Sequence, residues 1–333
     1  MSRSWKADEL LEKVRGSQAA CVIAAAAELD VFTALESTPV GAAALAGRIG
    51  SDPRATAMLL DALAGLELLV KKGDTYHIPP DAAELLVESR PTNVLPAIRH
   101  QANCLRRWAQ LARVVRTGRS IESQPSIRGR NGDCQAFIGA MDNFAAATAP
   151  QVIEKLMPLR FQRLLDIGGA SGMWTIAFLL AVPDATAVLF DLPDVIPLAR
   201  ERLARAGVAD RVTLVAGDYY VDELPGGADL AWLSAVAHQN SREQNAALYA
   251  KIHSALAAGG VLVIRDVVMD ASRTQPLAGA LFAVNMLVGT QGGGTFTFAE
   301  FERDLASAGF ADVLLIHRDE AMNSLIRAKK AGP

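Results

Sequence analysis

The chain has 333 residues, long enough for two domains, and its 51% hydrophobic and 21% charged content describes a globular protein and not a disordered one. A net charge of −3 supplies no global basic field, which argues against nucleic acid or an anionic membrane surface as a partner. Three widely spaced cysteines, Cys21, Cys104 and Cys134, are odd in number and in no ligand pattern, so reduced thiols in a cytoplasmic protein are expected and a metal site is not.

Residues 7–35 fit one or two amphipathic helices. Their most apolar run, AACVIAAAAELDVF, is broken by Glu28 and Asp30, too early for a membrane span, and Asp8, Glu9 and Glu12 before it do not suit a cleavable signal. A further helix is expected over 41–49, and Ser51 or Asp52 caps the next, with Pro53 in its first turn. VKKGDTYHI, with Gly73-Asp74 between two short strand-like runs, reads as a hairpin. Helix, helix and hairpin make a winged helix. Its recognition helix sets Arg54 against Asp52, Asp61 and Glu67, poor equipment for a phosphate backbone, so residues 1–90 read as a dimerisation domain. Lys71 and Lys72 are expected as solvated wing residues.

Residues 91–160 read as a helical connector interrupted by a polar, Gly-rich loop from Ser120 to Gly132, either a mobile lid or a plain surface link. From 161 to 333, short β-rich runs alternate with helical ones, the pattern of a doubly wound α/β sheet. The last two apolar runs, DVLLIH and NSLIRAK, are too close for a parallel crossover and must pair antiparallel.

Within that sheet, LLDIGGASG at 164–172 is an apolar run ending in Asp166, followed by Gly168, Gly169 and Gly172 and then by a helix-compatible segment. Such a turn brings a ligand close to the backbone at a helix start. Dinucleotide enzymes share it, so its surroundings decide. Asp191 ends the next apolar run and could accept both ribose hydroxyls of an adenosine; Asp218 ends the third and could take the adenine amino group. The terminal antiparallel pair differs from the dehydrogenase arrangement.

Together LLDIGGASG, LFDLP, RVTLVAGDYY, the GG-VLVIRD strand, FAVNMLVGTQGG and FERDLASAGF resemble the S-adenosylmethionine-dependent small-molecule O-methyltransferases of class I, a family that includes hydroxyindole, plant phenylpropanoid and bacterial polyketide enzymes. The resemblance implies a Rossmann-like seven-stranded sheet with an antiparallel terminal hairpin, an N-terminal winged helix that forms a homodimer, and S-adenosyl-L-methionine as cofactor. It implies cofactor contacts from Asp166, Gly168, Gly169, Gly172, Asp191, Leu192, Gly217, Asp218, Tyr219 and Ser234. His238 matches the family's base, although Gln239 and Asn240 replace the usual Asp and Trp, and Asp266 matches the acid that orients it. A second family glutamate has no counterpart in the Gly294, Thr295, Phe296 region. Phe137, Met141, Asn285 and Met286 match parts of the acceptor pocket, and Trp108 either walls that pocket or packs within the connector. The expected acceptor is a small, aromatic hydroxyl compound. A thioether or amine acceptor, methylated mainly through positioning, is the alternative; a nicotinamide oxidoreductase and a ligand-sensing DNA-binding regulator are rivals of other classes.

Overall fold

The computed structural model describes residues 4–122 and 124–331. The chain divides into two units, Met1–Arg106 with Ser123–Asn143, and Arg107–Glu122 with Phe144–Pro333.

The first unit carries α1 (Ala7–Arg15), α2 (Ser17–Glu28), α3 (Val31–Ala34), β1 (Val40–Gly41), α4 (Ala42–Ile49), α5 (Pro53–Gly65), β2 (Val70–Lys72), β3 (Thr75–His77), α6 (Pro80–Leu86) and most of α7 (Leu95–Trp108). Asp52 caps α5, its carboxylate accepting from the Ala55 amide at 2.8 Å with Pro53 in the first turn. The wing is present as β2–β3, and β1 adds a third strand beside β3 that the sequence reading did not anticipate. Lys71 is not simply solvated. Paired across the hairpin with Tyr76, it points to the same face, where its Nζ lies 2.6 Å from Asp61 and 5.1 Å from the Tyr76 ring centre. Phe32, Leu45, Leu60 and Leu63 fill the core of this unit. Its buried charge, Arg99, is satisfied by Asp30 at 2.6 Å, Glu88 at 3.3 Å and the Ala27 carbonyl at 3.0 Å.

After α8 (Leu111–Thr117), α9 runs from Gly129 to Leu156. The loop expected over 120–132 is therefore shorter, because residues 129–132 form the first turn of α9. Asp133 supplies the reason: its carboxylate accepts from the Ser126 amide at 2.9 Å and tethers the incoming chain to that turn. Ser123, also in the expected loop, lies outside the described residues.

The second unit continues with β4 (Arg163–Ile167), α10 (Met173–Ala181), β5 (Thr186–Asp191), α11 (Ile196–Arg205), β6 (Val212–Ala216), β7 (Ala228–Ser234), α12 (Arg242–Ala255), β8 (Leu256–Asp266), β9 (Val268–Met269), α13 (Leu277–Gly289), β10 (Phe296–Thr297), α14 (Phe298–Ser307), β11 (Phe310–His317) and β12 (Ser324–Lys330). Seven strands form one sheet in the order β11-β12-β8-β7-β4-β5-β6. β12 is antiparallel to both neighbours and the other pairs are parallel, so the terminal hairpin stands as expected. The strand order turns back at β4, which opens a crevice at the carboxyl ends of β4, β5 and β7. Trp232 on β7 anchors one face of the sheet, its ring 5.1 Å from that of Trp174 and 5.0 Å from that of Phe178 on α10. No helix among the described residues is long and apolar enough to cross a membrane.

β12 inserts between β8 and the edge strand, so its side chains hold the hairpin to the sheet. Ile326 is only 1% exposed. Ile326→Ala is expected to cost about 2–5 kcal/mol of unfolding free energy through lost burial and the cavity left behind. Chemical denaturation reads this directly; a loss below about 1 kcal/mol would mean that the hairpin is not part of the cooperative core.

Candidate active site

β4 delivers Asp166 to its end, and the chain turns through Gly168, Gly169 and Gly172 into α10. Gly172, at φ +82°, is the residue before the first turn of α10, in a conformation a side chain would strain. A Cβ on Gly169 would meet Leu189 Cγ at 2.6 Å, so only glycine lets the loop lie against β5. The Gly168 amide bonds the Phe190 carbonyl at 2.8 Å, which extends the β4–β5 pairing into the loop. Asp191 completes this junction: its carboxylate accepts from the Ala170 amide and from the Leu192 amide, both at 2.7 Å. Each oxygen keeps a second lone pair for a ligand hydroxyl.

Asp166 lies beneath the loop, 1% exposed, with one oxygen accepting from the Thr175 hydroxyl at 2.6 Å. Burial pushes its carboxyl up to about 7, the Thr175 hydrogen bond opposing this and the negative Asp191 adding to it. Burial also raises Asp191, against the two amides that favour its charge. At the end of β6, Gly217 donates to the Asp191 carbonyl at 2.9 Å, and the Asp218 side chain accepts from the Tyr220 amide at 2.9 Å. Burial raises the Tyr219 hydroxyl, whose ring packs 4.6 Å from that of Tyr220. Leu192 is exposed beside Asp191, and the Ser234 hydroxyl at the end of β7 accepts from Arg265 at 3.1 Å. Thus three carboxylates, Asp166, Asp191 and Asp218, end three adjacent strands, and among the described residues no cationic side chain is bonded to any of them. A ligand bearing positive charge and hydroxyls fits that donor-poor, acceptor-rich crevice.

Beyond β7 the chain turns through Ala235, at φ +57°, into a short 3-10 turn, Ala237–Gln239, that carries His238. β8 runs parallel beside β7 and ends in Asp266. The two side chains meet: His238 Nδ1 lies 2.9 Å and 3.1 Å from the two carboxylate oxygens, and the His238 amide donates to the second at 3.2 Å. The Val267 amide holds the first at 2.7 Å. Among the described residues Asp266 is the only carboxylate bonded to this ring. The Phe282 ring of α13 packs edge-on against the imidazole at 4.8 Å. The loop after α13 comes equally close, with the Gly294 amide donating to the His238 carbonyl at 2.9 Å.

Two of the expected pocket residues meet in the second unit: Trp108 Nε1 donates to Asn285 Oδ1 at 2.8 Å, and the next residue of α13, Met286, is buried. Phe137 and Met141 lie on α9 in the first unit, where Phe137 packs against His100 at 5.3 Å. Sequence reasoning missed Thr175 under Asp166 and the network behind His238. There the fully buried Asn240 accepts from the Tyr220 hydroxyl at 2.5 Å and donates to Asn245 at 3.0 Å, and Asn245 donates to the Ala237 carbonyl at 2.9 Å. Its one advance signal is Asn240 itself, which stands where the resembled family carries Trp. Among the described residues no His, Cys, Asp and Glu group could hold a metal ion.

A parallel sheet reversing at β4, a glycine turn flanked by strand-end carboxylates and a carboxylate-held histidine define an α/β group-transfer enzyme built around a nucleoside-containing cofactor. An O-methyltransferase domain profile matches residues 113–311, and an O-methyltransferase dimerisation domain profile matches residues 11–89. The chain belongs to the O-methyltransferase family. It is 34% identical over 294 residues to the tetracenomycin polyketide synthesis 8-O-methyl transferase TcmO of Streptomyces glaucescens, covering 86% of each chain. It is 30% identical over 318 residues to the 3-hydroxy-5-methyl-1-naphthoate 3-O-methyltransferase of Streptomyces sahachiroi, covering 93% of this chain and 91% of that one. Human N-acetylserotonin methyltransferase, solved in complex with SAM, superposes with a TM-score of 0.83 at 25% identity over 99% of this chain and 100% of that one. The protein is accordingly an S-adenosylmethionine-dependent O-methyltransferase, as its motifs led one to expect.

The buried Asp166 gives a pH test. Its folded-state value lies above the unfolded 3.8, so its contribution to stability is full below about pH 4 and is lost as pH rises through about 7. Asp166→Asn cannot ionise. In the ligand-free protein the variant's Tm relative to wild type is expected to climb steadily between about pH 4 and about pH 8. A difference that stays constant with pH would show that Asp166 is not held near neutrality.

Proposed function

We propose that the enzyme transfers a methyl group to a hydroxyl of a small aromatic molecule, with His238 as general base and Asp266 as the residue that holds it. The observation that carries this reading is the contact of His238 Nδ1 with both Asp266 oxygens, at 2.9 Å and 3.1 Å. A proton on Nδ1 shared with the carboxylate leaves Nε2 with its lone pair, ready to take the acceptor's proton; the imidazolium that results is stabilised by the same carboxylate. S-adenosylmethionine, when bound, supplies an electrophilic methyl group on a positive sulfur. The hydroxyls and polyketide named for the relatives support a phenolic oxygen as acceptor.

In this reading Asp191 accepts the ribose hydroxyls and Asp218 the adenine amino group, while Asp166 offers its second oxygen to the amino-acid end. Gly168, Gly169 and Gly172 shape the loop; Leu192, Gly217, Tyr219 and Ser234 line the remainder. Trp108, Asn285 and Met286 serve the acceptor side. Residues 1–90 form the dimerisation domain, 91–160 the connector that contributes to acceptor binding, and 161–333 the cofactor-binding catalytic domain. The enzyme works as a cytoplasmic homodimer on a small-molecule acceptor, without nucleic acid or membrane.

Two measurements test the reading. Calorimetric titration with S-adenosylhomocysteine is expected to give one site per chain, weakened at least tenfold by Asp191→Ala; folded wild-type protein that binds none would remove the basis of the assignment. His238→Ala should keep that binding yet lower turnover on a phenolic acceptor on the order of 100-fold or more, the usual contribution of a positioned base. Unchanged turnover would show that His238 is not the base.

A further inference from the structure

α13 is apolar nearly all round, and one of its faces follows a single line from the base outward. Phe282 packs on His238, Asn285 takes the Trp108 indole proton, and Gly289 meets Arg107, whose Nη1 would lie 3.4 Å from a Cβ placed there. Positions 282, 285 and 289 recur on one side of an α-helix, and the seven steps from the first to the last span about 10 Å of its axis. Arg107 therefore stands at the far end of the face whose near end is the imidazole.

The state of Arg107 is unusual within this molecule. It is half-buried, yet its guanidinium bonds to no other described residue. Every other arginine at least half-buried among the described residues has an acceptor: Arg99, Arg106, Arg211, Arg242 and Arg265, for instance, bond carboxylates, side-chain amides or main-chain carbonyls. The guanidinium presents five donors and finds no acceptor among the described residues, so it is free to bind an anion. Gly289 is itself exposed, so the space beside Arg107 is open.

We propose that Arg107 selects an acceptor that carries a carboxylate as well as the hydroxyl to be methylated, a hydroxyaromatic acid. The planar fork of the guanidinium matches a carboxylate with two parallel hydrogen bonds, which fixes the far end of the ring system while the hydroxyl lies at His238. Arg107 thus acts in binding and orientation, remote from the reacting atoms. The proposal rests on the acceptor site described under Proposed function. It goes beyond that site in naming the second group that the acceptor must bear.

The test uses the full-length protein saturated with S-adenosylhomocysteine, titrated calorimetrically with 3-hydroxy-1-naphthoic acid and with its methyl ester. Wild type is expected to bind the acid at least tenfold more tightly than the ester. Arg107→Gln should erase the preference while leaving ester and S-adenosylhomocysteine affinities unchanged, and Arg107→Lys, which keeps the charge and loses the fork, should retain part of it. Equal binding of acid and ester, a preference that survives Arg107→Gln, or binding of neither compound by the complex would overturn the proposal. These outcomes leave the methyltransferase reading standing, because S-adenosylhomocysteine binding is recorded in the same cell; its loss from wild type would defeat that reading instead.

Discussion

The site depends on how one carboxylate is held. Asp266 ends β8 fully buried, and its two oxygens take the His238 ring, the His238 main-chain amide and the Val267 amide. It therefore fixes the imidazole through both its side chain and its own backbone, so that ring rotation and loop displacement are opposed together. That arrangement exists because β7 and β8 run parallel with Ser234 level with Arg265. The turn after β7 then brings His238 back over the end of its neighbour. An unpaired carboxylate at this depth would be costly; here every donor comes from an element the sheet has already placed.

The three strand-end carboxylates follow the opposite logic. Asp166, Asp191 and Asp218 crowd the ends of three adjacent strands and, among the described residues, receive only hydroxyl and amide donors. Burial raises Asp166 and Asp191, which is the signature of charge left uncompensated in the free protein. A crevice built in this way is completed by the positive charge of its ligand. On the proposed reading, stability given up at the strand ends becomes affinity for a sulfonium-bearing nucleoside and for its ammonium group.

Much of this was legible in the chain because it is written in local chemistry. The glycine turn, the acid at the end of β5, the cap at Asp52 and the antiparallel closing hairpin each follow from a short stretch with its own steric or hydrogen-bonding demand. The unread parts are pairings between distant residues. Nothing near Asp166 announces Thr175 beneath it, and nothing in the wing tells Lys71 that Asp61 stands opposite. The Tyr220–Asn240–Asn245 chain joins the β6 turn to α12, and only the exchange of Trp for Asn240 hinted that the surroundings of His238 had been rebuilt in polar form. Arg107 left no sequence signal, since its interest lies in the partner that it lacks.

A carboxylate-held imidazole on this sheet is expected to make an oxygen acceptor reactive. The most direct measurement is single-turnover methyl transfer from S-adenosylmethionine to a phenol and to an amine of similar shape, by wild type and by Asp266→Asn. Wild type is expected to transfer the methyl to the phenol, and the variant to lose on the order of 100-fold or more in this transfer with S-adenosylhomocysteine affinity unchanged. Equal phenol turnover in the two proteins, or transfer to the amine alone, would contradict that expectation.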